Sequence, residues 1–207
     1  MTVHVITPPS PIVTPADIAG AHTEDDPSIV AMIQAVTEEI DGPAGWLGRA
    51  LGPQTLELVL PAFRVRNLGL PCPPVIANTV SVKYLDANGV EQTVDLSNYK
   101  IFDNGIWLNS GYSFPAVQCA PDAVRIRYDA GYNGVGDGKT GALPERARQA
   151  IILSVQDLLR SGSAQPGLRS ETVEDVGSWT YLDSDKITAI VERTCQRLLS
   201  TLRIYSL

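Results

Sequence analysis

Residues 144–160 read PERARQAIILSVQDLLR, and residues 184–202 read SDKITAIVERTCQRLLSTL. Both segments repeat apolar side chains at the spacing of one helical face. In the first segment these are Ala147, Ile151, Val155, Leu158 and Leu159, and in the second they are Ile187, Ile190, Val191, Leu198, Leu199 and Leu202. The sequence therefore predicts two amphipathic helices, each with an apolar face that needs a partner.

Between these helices lies a polar and acidic stretch, residues 161–183, which predicts a long loop. A structureless loop of this length is uncommon inside a compact domain and is usually functional or disordered. The stretch also contains the large apolar residues Val173, Val176, Trp179 and Tyr181. Because such side chains are poor choices for solvated coil, we expect the loop to become ordered against another surface. Its candidate interface residues are Glu171, Val173, Glu174, Asp175, Val176, Trp179 and Tyr181.

The N-terminal part of the chain divides into an arm and two helices. Residues 1–13 are rich in Thr, Val and Pro, a composition that predicts an extended, polyproline-like arm, flexible or docked. Residues 14–52 predict the helices. The first is a short one that Gly20 stops, and the second is capped by Asp26 and ended by Gly42.

Residues 53–133 predict an inserted β region of roughly five short antiparallel strands. Apolar and polar residues alternate there in short runs, and sequences typical of tight turns separate several of them. The runs are residues 54–60, 80–84, 93–94, 99–101, 106–108 and 124–130.

The remaining residues complete the predicted organisation. Residues 134–202 hold the two C-terminal helices with the long loop, and residues 203–207 form a C-terminal tail. The predicted fold class is α+β: a helical bundle of about four helices, a small antiparallel β region inserted in it, and a long loop before the last helix.

Composition restricts the classes of function. The 207 residues carry a formal charge of −7, which disfavours adhesion to nucleic acid because that binding comes mainly from Lys and Arg displacing counterions. No run of about eighteen apolar residues occurs, so no membrane span is expected. The N-terminus lacks a secretory signal pattern, and we expect the chain to be made in the cytoplasm.

The cysteines and histidines form no recognisable site. Cys72, Cys119 and Cys195 have the spacing of neither a disulfide framework nor a zinc site, and we expect them to be buried as small apolar residues. His4 and His22 lie near no motif of a nucleophile. We predict no catalytic, cofactor-binding or metal-ligating residue.

A glycine-rich segment, residues 134–141, follows a predicted strand and precedes a predicted helix, as a phosphate-binding loop would. A P-loop needs Gly, four residues, then Gly-Lys-Ser/Thr, because its backbone amides must curl around a phosphate. The position five residues before Gly138 is Asn133, and Asp137 would add a negative charge beside the phosphate. The segment therefore favours a glycine-rich hairpin or linker over a nucleotide site.

A series of short motifs recurs in order between about residues 15 and 205. They are DDPSIV (25–30), GRAL (48–51), QTLEL (54–58), LPCPPV (70–75), VSVKY (80–84), NYKI (98–101), VRIRYDAGY (124–132), LPE (143–145), AI (150–151) and SETVEDVG (170–177). Each motif alone is weak. In this order they resemble the head-tail connector, or adaptor, proteins of long-tailed bacteriophages and gene transfer agents.

The resemblance implies a structural protein without enzyme activity or cofactor, made in the host bacterial cytoplasm and built into the neck of a virion. About twelve copies would form a ring beneath the portal protein and extend the DNA channel, through which DNA passes without sequence-specific binding. The loop candidates would contact neighbouring copies or a tail-side stopper or terminator protein. The implied portal-facing residues are Arg203, Ile204, Tyr205, Ser206 and Leu207.

Two alternatives come from other classes of protein. The first is a nucleotide-binding enzyme that uses residues 134–141. The second is a monomeric peptide-binding module that captures a partner segment with its long loop and strand edges.

Overall fold

The structure is a computed structural model that describes residues 1–23, 25–102, 104–163, 170–173, 177–180 and 184–204. At residues 163, 170–173, 177–180 and 184–185 the description covers the backbone only. The chain divides into two compact units. We call Met1–Ile12, Glu38–Leu143 and Arg203–Leu207 the β unit, and Val13–Thr37 with Pro144–Leu202 the helical unit.

The β unit contains two antiparallel sheets. The larger has five strands in the order β1-β2-β8-β4-β5, and the smaller has three in the order β3-β7-β6. The strands are β1 (Thr2–Thr7), β2 (Gln54–Leu60), β3 (Asn67–Gly69), β4 (Val75–Leu85), β5 (Glu91–Thr93), β6 (Tyr99–Phe102), β7 (Gly105–Leu108) and β8 (Val124–Ala130).

Alternation of apolar and polar residues explains the central strands. In β8, Val124, Ile126, Tyr128 and Ala130 are buried, and the residues between them are not. Leu58 lies opposite Ile126 in the register of β2 and β8. A shift of one residue would turn this apolar set outward, so the shared core determines the register. The predicted strands at 54–60 and 124–130 are confirmed.

The N-terminal arm is part of the large sheet. Its residues Thr2–Thr7 pair antiparallel with β2 as an edge strand. The predicted polyproline-like conformation is wrong for this half of the arm, because TVHVIT is rich in β-branched residues that suit a strand. After the strand, the Ser10 amide donates to the Pro53 carbonyl at 3.0 Å and anchors the arm.

The helical unit contains α2 (Glu145–Ser163), α3 (Ser184–Leu199) and most of α1 (Pro27–Ile40), whose last three residues belong to the β unit. Helices α2 and α3 pack together, with the Ser154 hydroxyl 3.4 Å from the Cys195 thiol. Among the residues of this unit whose side chains are described, the buried apolar ones are Val13, Ile18, Ile29, Ile33, Val36, Ala147, Ala150, Ile151, Val155, Cys195, Leu199 and Leu202.

The fold class α+β is confirmed, but the bundle of about four helices is not. Three α-helices occur in the described residues, and the predicted first helix is a single 3-10 turn, Pro15–Asp17. Its Asp17 forms an ion pair with Arg148 of α2. On the predicted apolar faces of α2 and α3, Leu158 and Ile190 are exposed.

The predicted loop at 161–183 contains regular structure. Helix α2 continues to Ser163, and a two-stranded hairpin follows, formed by β9 (Ser170–Val173) and β10 (Gly177–Thr180). The loop prediction was therefore wrong for these segments. No described helix is both long and apolar enough to cross a membrane.

Candidate assembly surfaces

The first two residues of the predicted portal-facing tail are docked on the β unit. The Ile204 amide donates a hydrogen bond to the Leu47 carbonyl at 2.8 Å. The Arg203 guanidinium lies 5.5 Å from the centre of the Trp46 ring, in the range of a cation–π interaction. The other tail candidates, Tyr205, Ser206 and Leu207, lie outside the described residues.

The turn that receives the tail depends on Gly48. We call residues 41–52 the tail-docking turn. Gly48 has a φ of +63°, in the left-handed region where side chains are strained. A Cβ at this position would lie 3.1 Å from the Ile204 carbonyl oxygen. A glycine at 48 therefore permits both the turn and the close approach of the tail.

A buried carboxylate holds the tail-docking turn together. Asp41 accepts hydrogen bonds from the Leu51 amide at 2.7 Å, the Gly52 amide at 3.3 Å and Gln54 Nε2 at 3.0 Å. Burial raises the pKa of Asp41 because it penalises the charged form, and these hydrogen bonds oppose the shift only in part. The sequence analysis did not identify this role.

The predicted loop interface falls partly on the β9–β10 hairpin. In its register Glu171 lies opposite Trp179, and Val173 lies opposite Gly177. Three of the seven loop candidates therefore belong to one strand pair. The other four, Glu174, Asp175, Val176 and Tyr181, lie outside the described residues.

The glycine-rich segment closes as a hairpin and not as a P-loop. Gly134 and Gly141 exchange two backbone hydrogen bonds at 3.1 and 3.0 Å. The Thr140 hydroxyl donates to the Gly131 carbonyl at 2.6 Å, and the Thr140 amide donates to the Asn133 side chain. The threonine that would bind a metal–phosphate group in a P-loop thus stabilises the base of the hairpin. The geometry does not support the nucleotide-binding alternative.

Other groups with potential chemistry have structural roles or are dispersed. The His22 ring nitrogen Nε2 lies 2.8 Å from the Pro15 carbonyl, and Asp26 accepts from the Ser28 amide at the start of α1. Within the described part of the chain, no three His, Cys, Asp or Glu residues are grouped for a metal ion. Cys72 and Cys195 are buried as expected, but Cys119 is exposed, so the expectation was wrong for that residue.

Two exposed aromatic residues were missed by sequence reasoning. Phe102 is 74% exposed and Trp107 is 52% exposed, both on the β6–β7 hairpin. In the register of this hairpin Trp107 lies opposite Lys100, and Phe102 lies opposite Gly105. The alternation of the two strands could have shown which residues face outward, because Ile101 and Ile106 occupy the intervening row.

Comparison with solved structures identifies the fold. A chain from the neck of an empty gene transfer agent (GTA) particle, computed with C6 symmetry, matches with a TM-score of 0.64 and 18% identity over 100% of this chain and 97% of that one. A chain from the neck of a native GTA particle, computed with C12 symmetry, matches with a TM-score of 0.63 and 19% identity over the same shares.

A chain from the virion of a native GTA particle matches with a TM-score of 0.62 and 19% identity, again over 100% of this chain and 97% of that one. No family model matches the sequence, and no curated protein matches it either. The chain therefore shares, over its whole length, the fold of proteins from gene transfer agent particles. Two of these proteins come from the particle neck.

Replacing Gly48 by alanine tests the tail-docking turn. We expect Gly48→Ala to lower the free energy of unfolding by about 1–2 kcal/mol, because a side chain in the left-handed region costs that much. Urea denaturation measures the change. Gly111→Ala is the matched control, since a Cβ there meets no atom within 4 Å. The control should leave stability unchanged or raise it by up to about 1 kcal/mol. Equal effects of the two substitutions would contradict the role of Gly48.

The raised pKa of Asp41 predicts a specific pH dependence. Below its ordinary pKa of 3.8 the group is protonated in both the folded and unfolded states. As pH rises, the unfolded state loses this proton first, so stability falls until the pH passes the higher folded pKa. Each unit of difference between the two pKa values is worth about 1.4 kcal/mol.

Asp41→Asn removes this titration. As pH rises above the ordinary pKa of 3.8, the stability of the native protein relative to the variant should therefore fall, and it should level off above the folded pKa, as measured by urea denaturation across a pH series. Comparison with the variant cancels the titration of the other carboxylates. If the difference in stability between the native protein and the variant stays constant with pH, Asp41 has the same pKa in the folded and unfolded states, which contradicts the prediction.

Proposed function

We propose that this chain is a head-tail connector (adaptor) in the neck of a tailed phage or a gene transfer agent-like particle. Copies of the chain form a ring beneath the portal protein, extend the DNA channel and join the head to the tail. The observation that carries the proposal is the fold match over 100% of this chain with neck chains of GTA particles. The C6 and C12 symmetries of those structures support a ring of about twelve copies.

The role is structural and not enzymatic. The fold shared with neck chains supports it, as does the hairpin that replaces a P-loop at residues 134–141. The charge also agrees with a channel wall. Each copy contributes a formal charge of −7, and the inner wall of the ring carries the same sign. Such a wall repels DNA and lets it pass without adhering, whereas a DNA-binding protein gains affinity when its Lys and Arg residues release counterions.

The parts of the chain take separate roles in this proposal. Residues 203–207 contact the portal, and the β9–β10 hairpin contacts neighbouring copies or a tail-side stopper or terminator protein. An aromatic residue such as Trp179 is typical of the centre of such contacts. The body of the subunit is formed by the 1–13 arm, the 14–52 segment with α1, the 53–133 β region and the helices α2 and α3.

Removal of the gene from the producing genome tests the function as a whole. We expect heads that have packaged DNA but carry no tails, and separate free tails, in electron micrographs. Supplying the chain in trans should restore joined particles. Joined particles of normal yield without the chain would contradict the proposal.

Deletion of 205–207 tests the portal contact without disturbing the docked root of the tail. The deletion keeps the Ile204–Leu47 hydrogen bond and the Arg203–Trp46 contact, so the urea midpoint should not change. We expect the yield of joined particles to fall strongly. A truncation after Leu202 removes both contacts as well and should lower stability in addition. Normal infectious yield with either truncation would refute the assigned role of the tail.

Substitution of Trp179 tests the hairpin contact. We expect Trp179→Ala to weaken incorporation of the chain into particles by an amount equivalent to about 2 kcal/mol of binding, because interface aromatics carry energies of that order. Quantitative immunoblotting of purified particles measures incorporation. Ser178→Ala, in the same strand β10, is the matched control and should be neutral. Unchanged incorporation of the Trp179 variant would remove this residue from the interface.

A further inference from the structure

The β unit contains an apolar cavity of about 380 Å³ between its two sheets. The larger sheet contributes Leu60, Val82 and Ile126, and the smaller sheet contributes Leu68, Ile106 and Leu108. Protein interiors are normally packed to the density of organic crystals, so an unfilled apolar space of this size is uncommon. The cavity is therefore a candidate receptor for an apolar group.

The opening of the cavity lies in the connection from β2 to β3. The exposed residues that line the cavity are Met1, Pro61, Arg64 and Val65. Three of these four lie in this connection, which marks it as the entrance. An apolar cavity of roughly 150 Å³ takes up a benzene ring. The present cavity thus has room for a phenyl ring and a second apolar group. Sites for small polar ligands carry several convergent polar groups, and among the side chains that line this cavity only that of Arg64 is charged.

Phe102 is an apolar group that the described residues of its own chain leave largely uncovered. Its side chain is 74% exposed at the end of β6. The residue opposite it in the register is Gly105, and Gly69 lies opposite Gly105 on the other side. Because glycines occupy this row, no neighbouring side chain covers the phenyl ring across the sheet.

Phe102 and the entrance lie at opposite ends of the small sheet. Phe102 pairs with Gly105 at the start of β7, whereas the Leu108 amide at the end of β7 donates to the Arg66 carbonyl beside the entrance. Three residues of strand separate the two ends, about 10 Å. One copy therefore presents a projecting ring at one end and a receptor at the other. Dissimilar surfaces of this kind suit the head-to-tail contacts that close a ring.

We propose that, in the assembled ring, Phe102 of one copy inserts into the apolar cavity of the next copy. This inference rests on the proposed function, because it needs neighbouring copies around a rotation axis. Charge supports a second copy as the occupant. In the sequence Phe102 is followed by the acidic residue Asp103, whose charge is opposite to that of the exposed Arg64 at the entrance.

Disulfide cross-linking in intact particles tests the contact. Phe102→Cys and Val65→Cys are combined in a chain that also carries Cys119→Ser, which removes the exposed native thiol. Within one chain the two new thiols are too far apart to bond, because a disulfide requires Cα atoms less than about 7 Å apart. After mild oxidation of the particles, we expect a ladder of covalently linked copies on a non-reducing gel. Each single variant should remain monomeric.

A matched pair controls for random collision. Leu96 is 72% exposed and also belongs to the β unit, so Leu96→Cys combined with Val65→Cys should give monomers only. A monomer pattern for the Phe102 pair, in particles that contain the chain, overturns this inference and leaves the proposed function standing. Absence of the unmodified chain from purified particles overturns the proposed function itself.

A second measurement does not depend on oxidation. Phe102→Asp places a charge where the cavity requires an apolar ring, and we expect incorporation into particles to fall at least about tenfold, in the range of an interface hot spot. Leu96→Asp is the control and should be incorporated normally. Circular dichroism of both purified variants checks that each is folded. Equal incorporation of the two folded variants overturns the inference.

Discussion

The carboxylate of Asp41 joins three parts of the β unit, and the docking of the N-terminal arm and of Ile204 depends on it. It lies just after α1 and accepts hydrogen bonds from Leu51, Gly52 and Gln54, so the end of the helix, the tail-docking turn and the start of β2 are held together. A buried carboxylate without such donors would be costly. The three donors are two backbone amides and one side-chain amide, which makes the arrangement specific to this turn.

The close approach of several backbones around Gly52 follows from this arrangement. A Cβ on Gly52 would lie 2.4 Å from the Ser10 carbonyl oxygen, and one on Gly131 would lie 2.3 Å from the Gly52 carbonyl oxygen. Both positions therefore require glycine. The N-terminal arm, the end of β8 and the tail-docking turn meet at this point, and the turn in turn binds Ile204. Ser10 of the N-terminal arm and Ile204 are thus anchored close to this turn, a suitable base for contacts with other proteins.

The sequence predicted elements whose signals are local and missed those that depend on distant partners. The alternation of Leu56 and Leu58 with polar residues correctly predicted β2, and Asp26 followed by Pro27 correctly predicted the start of α1. The strand Thr2–Thr7 was missed because prolines nearby dominated the interpretation, and its pairing with β2 spans some fifty residues. The role of Asp41 was missed because its donors lie ten or more residues away. Of the predicted interface, Arg203 and Ile204 are docked as the tail root. Phe102 was missed because the predicted strand ended at residue 101, although the alternation of β6 places this side chain on the exposed face.

The central claim is that copies of this chain form the ring that connects a head to a tail. A three-dimensional reconstruction of the neck of particles produced with this chain tests that claim most directly. The account predicts a rotationally symmetric ring between portal and tail. The density of each subunit should fit the five-stranded and three-stranded sheets of the β unit and the helices α1, α2 and α3. A neck whose density is fully explained by other chains, with this one absent from the purified particle, would contradict it.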